Sequence, residues 1–319
     1  MSEWLYEAGI GENRAARIEN GTIVEAHIET DDAGPQPGMV ASARLIERPG
    51  TARSARIAFA DGTEALLDII PKGLSEGRDL LVEIVREGIP EAGRPKPARA
   101  RIAPEGATPI PAPDLRARIA ATGIPVRTIQ PHQPDALEAA GWSELLAEAA
   151  TGEIDFPGGQ LRMSVTPAMT LFDIDGAPPL EPLAIAGGIA AARAIRRFGI
   201  GGSIGIDFPT LADKASRNRV VEAFDAVLPQ PYQRTAINGF GFLQVVRRRP
   251  CASLPERLAV APHAAELRAV LRRIERAGPT DPTDHRLPAP LIAMLDRRPD
   301  WLAALHRRTG RPHLFSAAA

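Results

Sequence analysis

One cysteine, Cys251, stands in 319 residues. That excludes an internal disulfide and any zinc site built from cysteine pairs within one chain. Lysine is nearly as scarce: Lys72, Lys96 and Lys214 are the lysines among 38 basic residues. The basic charge is therefore almost all arginine, and its abundance alone carries no reading of phosphate recognition. Aromatic side chains make up 4% of the chain, and its six histidines show no metal-binding spacing such as two His four apart on one helix. No apolar run is long and uninterrupted enough to span a bilayer, and the opening MSEWLYEAGIGENR puts acidic residues where a secretory leader carries basic ones. The expected address is the cytoplasm, with no membrane partner. A formal charge of −1 argues against wholesale coating of nucleic acid but leaves room for a local basic groove.

What the chain does have is a set of acids at the ends of apolar runs. Asp173 and Asp175 lie two apart in MTLFDIDG, and Asp207 ends a second run in GGSIGIDF. Side chains two apart on a strand point the same way, so the first two share a face, and Asp207 joins them if the runs pair as neighbouring strands. Carboxylates ~4 Å apart repel by ~1 to 4 kcal/mol at surface-like dielectric. A hard divalent cation with oxygen ligands, such as Mg²⁺, relieves that repulsion, and the chemistry it suggests is phosphoryl transfer.

Around these runs the chain alternates strand and helix signals. Residues 12–29 read as a hairpin about Asn20-Gly21. After the break DDAGPQPG, short β-type runs (MVASARLIE, ARIAFADGTEALLDI, DLLVEIVRE) predict a small barrel or sandwich. Phe59 in ARIAF fits either a base-stacking aromatic or barrel core. Arg94, Lys96, Arg99 and Arg101, interleaved with proline, fit either a track for a phosphate backbone or a solvated loop. Residues 134–149 read as a helix pair or one broken helix, and PLAIAGGIAAARAIRRFGIGG as a helix stopped at Gly199. Strand, helix, strand around Asp173 and Asp207 implies a parallel pair with a right-handed crossover. A further helix over 212–228, a strand in TAINGFGFLQVVRR and helical pieces beyond complete the pattern, which is α/β.

The order of these motifs resembles the ribonuclease E/G family in a short form. ENRAARIENGTIVE is similar to the family's first hairpin, in step at Glu12, Arg14, Ala16, Gly21 and Glu25. GMVASARLIE through LLVEIVREGIPEAGRPKPARARI resembles its inserted RNA-binding OB barrel, including the pair Arg86-Glu87, and NGFGFLQVVRRR resembles a later strand. The stretches ending in LFDIDG and in SIGIDF resemble those holding the family's two catalytic aspartates. The resemblance covers residues 12–250. It implies a ribonuclease H-like mixed sheet with an inserted OB-type barrel and a C-terminal helical extension. The implied divisions are 1–35 (first hairpin), 36–103 (barrel), 104–250 (catalytic domain) and 251–319 (helical accessory segment). It also implies an endoribonuclease acting on single-stranded RNA in processing or decay. Asp173 and Asp207 would bind Mg²⁺ and residue 175 would orient water or metal, the products carrying a 5′-phosphate and a 3′-hydroxyl. Phe59, Arg94, Lys96 and Arg99 are the candidate RNA contacts.

The departures are specific. Asp175 stands where the family has asparagine, Gly239 where it has arginine before the Phe-Gly pair, and Thr210 where it has an aspartate. Only residues 103–156 connect the barrel to the Gly-Gly turn, too few for the family's 5′-monophosphate pocket, and Arg127-Thr128 reads as a strand end. The zinc-linking cysteines are absent, so any homo-oligomer is not zinc-linked. A second function class follows from these losses: an RNA-binding or assembly protein that keeps the fold without hydrolysis. A third, an unrelated ribonuclease H-like enzyme acting on DNA, requires the barrel resemblance to be accidental.

Overall fold

The computed structural model describes residues 2–48, 54–70, 73–91, 93–278 and 280–318. In chain order, β1 (Ser2–Ala8), β2 (Glu12–Glu19) and β3 (Thr22–Thr30) come first, then β4 (Val40–Glu47), β5 (Ala55–Ala58), β6 (Glu64–Leu67), β7 (Asp79–Arg86) and β8 (Ala98–Ile102). They are followed by α1 (Leu115–Ala120), β9 (Val126–Thr128), α2 (Ala136–Ala139) and α3 (Trp142–Thr151). Next come β10 (Glu153–Phe156), β11 (Gly159–Val165), β12 (Thr170–Gly176), α4 (Leu180–Arg197), β13 (Gly202–Asp207), α5 (Lys214–Asp225), β14 (Tyr232–Arg234) and β15 (Phe242–Arg247). The last elements are α6 (Leu254–Val260), α7 (Pro262–Glu275), β16 (Asp284–Leu287), α8 (Ala289–Leu295), α9 (Pro299–Thr309) and β17 (Leu314–Ala317). The chain is thus mixed α/β, and no helix among the described residues is long and apolar enough to cross a membrane.

Two compact units divide it: one of residues 1–32, 115–143 and 258–319, the other of 33–114 and 144–257. In the first, strands run in the order β3-β2-β1-β9, with β1 parallel to β9. Asn20 and Gly21 both take positive φ, 52° and 80°, which is what a two-residue hairpin with right-handed strand twist demands. The hairpin read from the sequence is therefore present, but it belongs to a sheet of its own, separate from the one carrying the aspartates. Residues 115–143 join it there, although the sequence reading assigned 104–250 to the catalytic domain.

Buried ion pairs occupy this unit's interior. Arg14, 1% exposed, meets Glu7 at 2.5 Å and Asp135 at 2.6 Å, with its guanidinium 5.3 Å from the Trp142 ring centroid. Arg276 reaches Glu7 at 2.7 Å and Arg272 reaches Glu12 at 2.6 Å. Burial pushes the Glu12 carboxyl up, while Arg272, Arg268 and Arg14 oppose it. Beside these pairs Ile10 packs with Leu267, Leu271, Trp301 and Leu305 in one apolar cluster. The last sixty residues are therefore part of a core, where the sequence suggested an accessory helical segment. They also carry a parallel pair, β16 with β17, that their helical periodicity does not announce.

The second unit holds a closed five-stranded barrel, β4-β5-β6-β8-β7, and a six-stranded sheet, β10-β11-β12-β13-β15-β14. Alternating residues fill the barrel: Leu45, Ile57, Leu67, Val82, Ile84 and Ala100 are essentially inaccessible. Phe59 belongs to this core at 8% exposed. Its backbone closes the β5–β6 turn through Thr63, at 2.8 Å, so period-two alternation from Ile57 carries the ring inward. Where the barrel meets the chain after the sheet, Glu87 is 3% exposed and accepts the Ala252 N–H at 2.6 Å and a guanidinium N–H from Arg257.

A candidate acidic site on the six-stranded sheet

β10, β11 and β12 form an antiparallel meander. β12 then pairs in parallel with β13, with α4 as the crossover, and β13 pairs antiparallel with β15. Alternation divides the side chains. Phe172 and Ile174 of β12 and Ile204 and Ile206 of β13 are buried, with α4 contributing the facing Leu183, Ala184 and Ala191. α4 comes close enough that a Cβ on Gly187 would lie 2.7 Å from Ile174, so only glycine fits there. The opposite face carries Asp173, Asp175 and Asp207, all exposed.

Register makes the acids neighbours. Asp173 is the Cα partner of Asp207 on β13, and Arg162 on β11 is its partner on the other side. Strands in a sheet lie about 4.8 Å apart, and like charges directly opposite destabilise a pair. Arg162 sits 3.4 Å from Asp175, one guanidinium against three carboxylates. The Asp173 carboxyl is held above its ordinary value of 3.8, by desolvation first and then by Asp175 and Asp207, with Arg162 opposing.

The floor of the site is shaped by Gly205. A Cβ there would lie 2.5 Å from the Phe242 ring and 2.7 Å from Leu171. Its absence lets Phe242, the register partner of Asp207, lie over β13. Preceding Phe242 is a turn, where the sequence suggested continuous strand. Asn238 Oδ1 accepts the N–H of Phe240 at 2.9 Å and of Phe242 at 3.0 Å, and Gly241 N–H donates to Asn238 O at 3.2 Å. Gly241 has φ of 92°, and Phe208 N–H donates to its carbonyl at 3.1 Å. A Cβ on Gly241 would lie 3.9 Å from Asp207 Oδ1, which places the turn beside the acids.

No family model and no curated protein matches the chain.

Among the described residues no three His, Cys, Asp or Glu side chains converge as a ready-made metal cage. The donor set nevertheless fits a hard divalent cation of the Mg²⁺ type. Such ions are commonly held by one or two carboxylates plus waters and substrate oxygens, not by an all-protein shell. At this place three carboxylates face one guanidinium, that of Arg162.

The candidate RNA contacts fare differently. Phe59 is buried and offers no exposed ring. Lys96 is paired with Glu91 at 2.5 Å and donates to Pro167 O at 2.9 Å; Arg99 is paired with Asp68 at 2.6 Å and Arg101 with Glu83 at 2.8 Å. Arg94 is exposed in the loop before β8. The cluster thus consists largely of ion pairs on the barrel, not a row of unneutralised cations. What the sequence reading passed over is the Asn238–Gly241 turn, whose signal, an Asn-Gly step followed by a second glycine, is present in INGFG.

Proposed function

We propose that this chain is a Mg²⁺-dependent endoribonuclease that cuts single-stranded RNA at Asp173, Asp175 and Asp207. The observation that carries the reading is the in-register pair Asp173 and Asp207 on neighbouring parallel strands, with Asp175 on the same face. The resemblance of the motif order to the ribonuclease E/G family adds support. So does the closed barrel in the same unit as the acids, which belongs to this reading as an OB-type RNA-binding module. The ribonuclease H-like description of the sheet is part of the same proposal. It is supported by two acids on adjacent parallel strands joined by a helical crossover.

In this reading Asp173 and Asp207 hold the cation and Asp175, kept by Arg162, orients a water or the ion's hydration shell. When bound, Mg²⁺ supplies an activated water at neutral pH and neutralises charge developing on the phosphodiester. The sheet's own part is to fix the acids before substrate arrives, since all three sit on strand backbone and not on loops.

Cleavage of end-labelled single-stranded RNA with Mg²⁺ tests this, comparing wild type with Asp173→Asn and Asp207→Asn. Each variant is expected to lose cutting by about 100-fold or more while remaining folded. Folded wild type that binds the RNA and leaves it uncut assigns the chain instead to a binding or assembly role. Gly239 and Thr210, which replace an arginine and an aspartate of the family pattern, are the residues that favour that second reading.

A further inference from the structure

Phe240 is 87% exposed, and the remaining large exposed apolar side chains among the described residues are aliphatic, none above 78%. The ring stands out in a chain with so few aromatics, the other described ones being buried or half-buried. The backbone that carries it is held on both sides. Asn238 Oδ1 holds the amides of Phe240 and Phe242, and the next residue, Gly241, is tied to Phe208, directly after Asp207. A Cβ at Gly241 would strike the Phe208 carbonyl at 2.3 Å, so only glycine fits this close approach. These hydrogen bonds fix the backbone that carries the exposed Phe240 ring, a single residue from a position 3.9 Å from Asp207 Oδ1.

Base stacking is the use such a ring serves. A nucleobase has two flat apolar faces, and proteins that take unpaired strands present aromatic rings to them with little sequence preference. A duplex keeps those faces covered. We propose that Phe240 is the base-stacking residue of the acidic site, receiving one unpaired base of a single-stranded RNA whose phosphate lies at Asp173 and Asp207. This rests on the nuclease reading for the identity of the strand. It assigns the preference for single strands to the catalytic sheet, since the barrel's own candidate aromatic, Phe59, is core.

The experiment uses the full chain with Ca²⁺, a hard cation that offsets the carboxylates, and a short single-stranded RNA carrying one 2-aminopurine, read on mixing before any cut product accumulates. Wild type is compared with Phe240→Ala and Phe240→Trp. Because the ring is exposed, the alanine variant is expected to fold normally, checked by its thermal transition. Wild type quenches the 2-aminopurine; Phe240→Ala loses the quench and binds about tenfold more weakly, and Phe240→Trp restores both. The added indole is also quenched by the unlabelled RNA, a signal separable from Trp4, Trp142 and Trp301, which are at most 3% exposed. Equal affinity and equal quench in wild type and Phe240→Ala overturn the proposal. Parallel Mg²⁺ cleavage assays separate the two readings. Wild type that cuts without dependence on Phe240 overturns stacking alone, whereas Phe240-dependent binding without cutting overturns the nuclease and leaves stacking in place.

Discussion

Asp173 and Asp207 face one another in register across two parallel strands, and the nearest cation on their face, Arg162, is engaged 3.4 Å from Asp175. The arrangement places electrostatic strain where chemistry is proposed.

Removing one charge should therefore help the metal-free fold. Desolvation and the two neighbouring acids raise the Asp173 carboxyl, so its ionised form is less favourable folded than unfolded. Its destabilising effect is present at neutral pH and fades as pH falls through the raised value toward 3.8. Asp173→Asn is expected to gain about 0.5 kcal/mol in urea unfolding at pH 7 in EDTA. Addition of Mg²⁺ should stabilise wild type and cancel that gain. An identical difference between the two proteins with and without Mg²⁺ would count against the site.

A second pH dependence belongs to the other unit. His285 and His313 stack with ring centroids 5.2 Å apart and share a hydrogen bond of 3.0 Å, while His306 accepts the His313 N–H at 3.0 Å. Burial lowers both His285 and His313 below the ordinary 6.5, His313 also through His285, Arg311 and His306. The unfolded chain then takes protons first as pH drops. Stability from this cluster is complete above about pH 6.5 and is lost as pH falls from there through the lowered values. Thermal unfolding between pH 8 and pH 5 should show that slope, and His285→Phe, which keeps a ring against Phe315, should flatten it.

The turn beside Asp207 gives a paired test of backbone constraint. Gly241→Ala places a Cβ at φ of 92° and within 2.3 Å of the Phe208 carbonyl, and should cost about 1 to 3 kcal/mol. Gly239→Ala, two residues earlier, meets nothing within 4 Å and should stay within about 0.5 kcal/mol of wild type. Equal costs in chemical denaturation would show that the turn is not held as described.

Legibility followed the range of the interactions. Asn20-Gly21 and the alternation of Phe172, Asp173, Ile174 and Asp175 are local patterns, and both were readable in the sequence. β1 was not, because Trp4, Leu5, Tyr6 and Glu7 are buried in succession and one of them is a carboxylate. Burying Glu7 makes sense only with Arg14 and Arg276, the second 269 residues away. Phe59 carried two readings because a period-two strand says which residues share a face but not which face closes into a barrel. The ion pairs of Lys96, Arg99 and Arg101 come from strand neighbours and turns that a run of basic residues does not reveal.

The pairing of Glu12 with Arg272 and of Glu7 with Arg276 also sets a timetable. A ribosome delivers these carboxylates some 260 residues before their guanidinium partners. At ~5 to 20 residues per second, that is an interval of tens of seconds. During it the barrel and the acidic sheet can already be complete, whereas Glu12 lacks Arg272 and Glu7 has Arg14 without Arg276. Truncations before residue 272 should therefore leave β1 and β2 unsettled, read as fast hydrogen exchange of their amides.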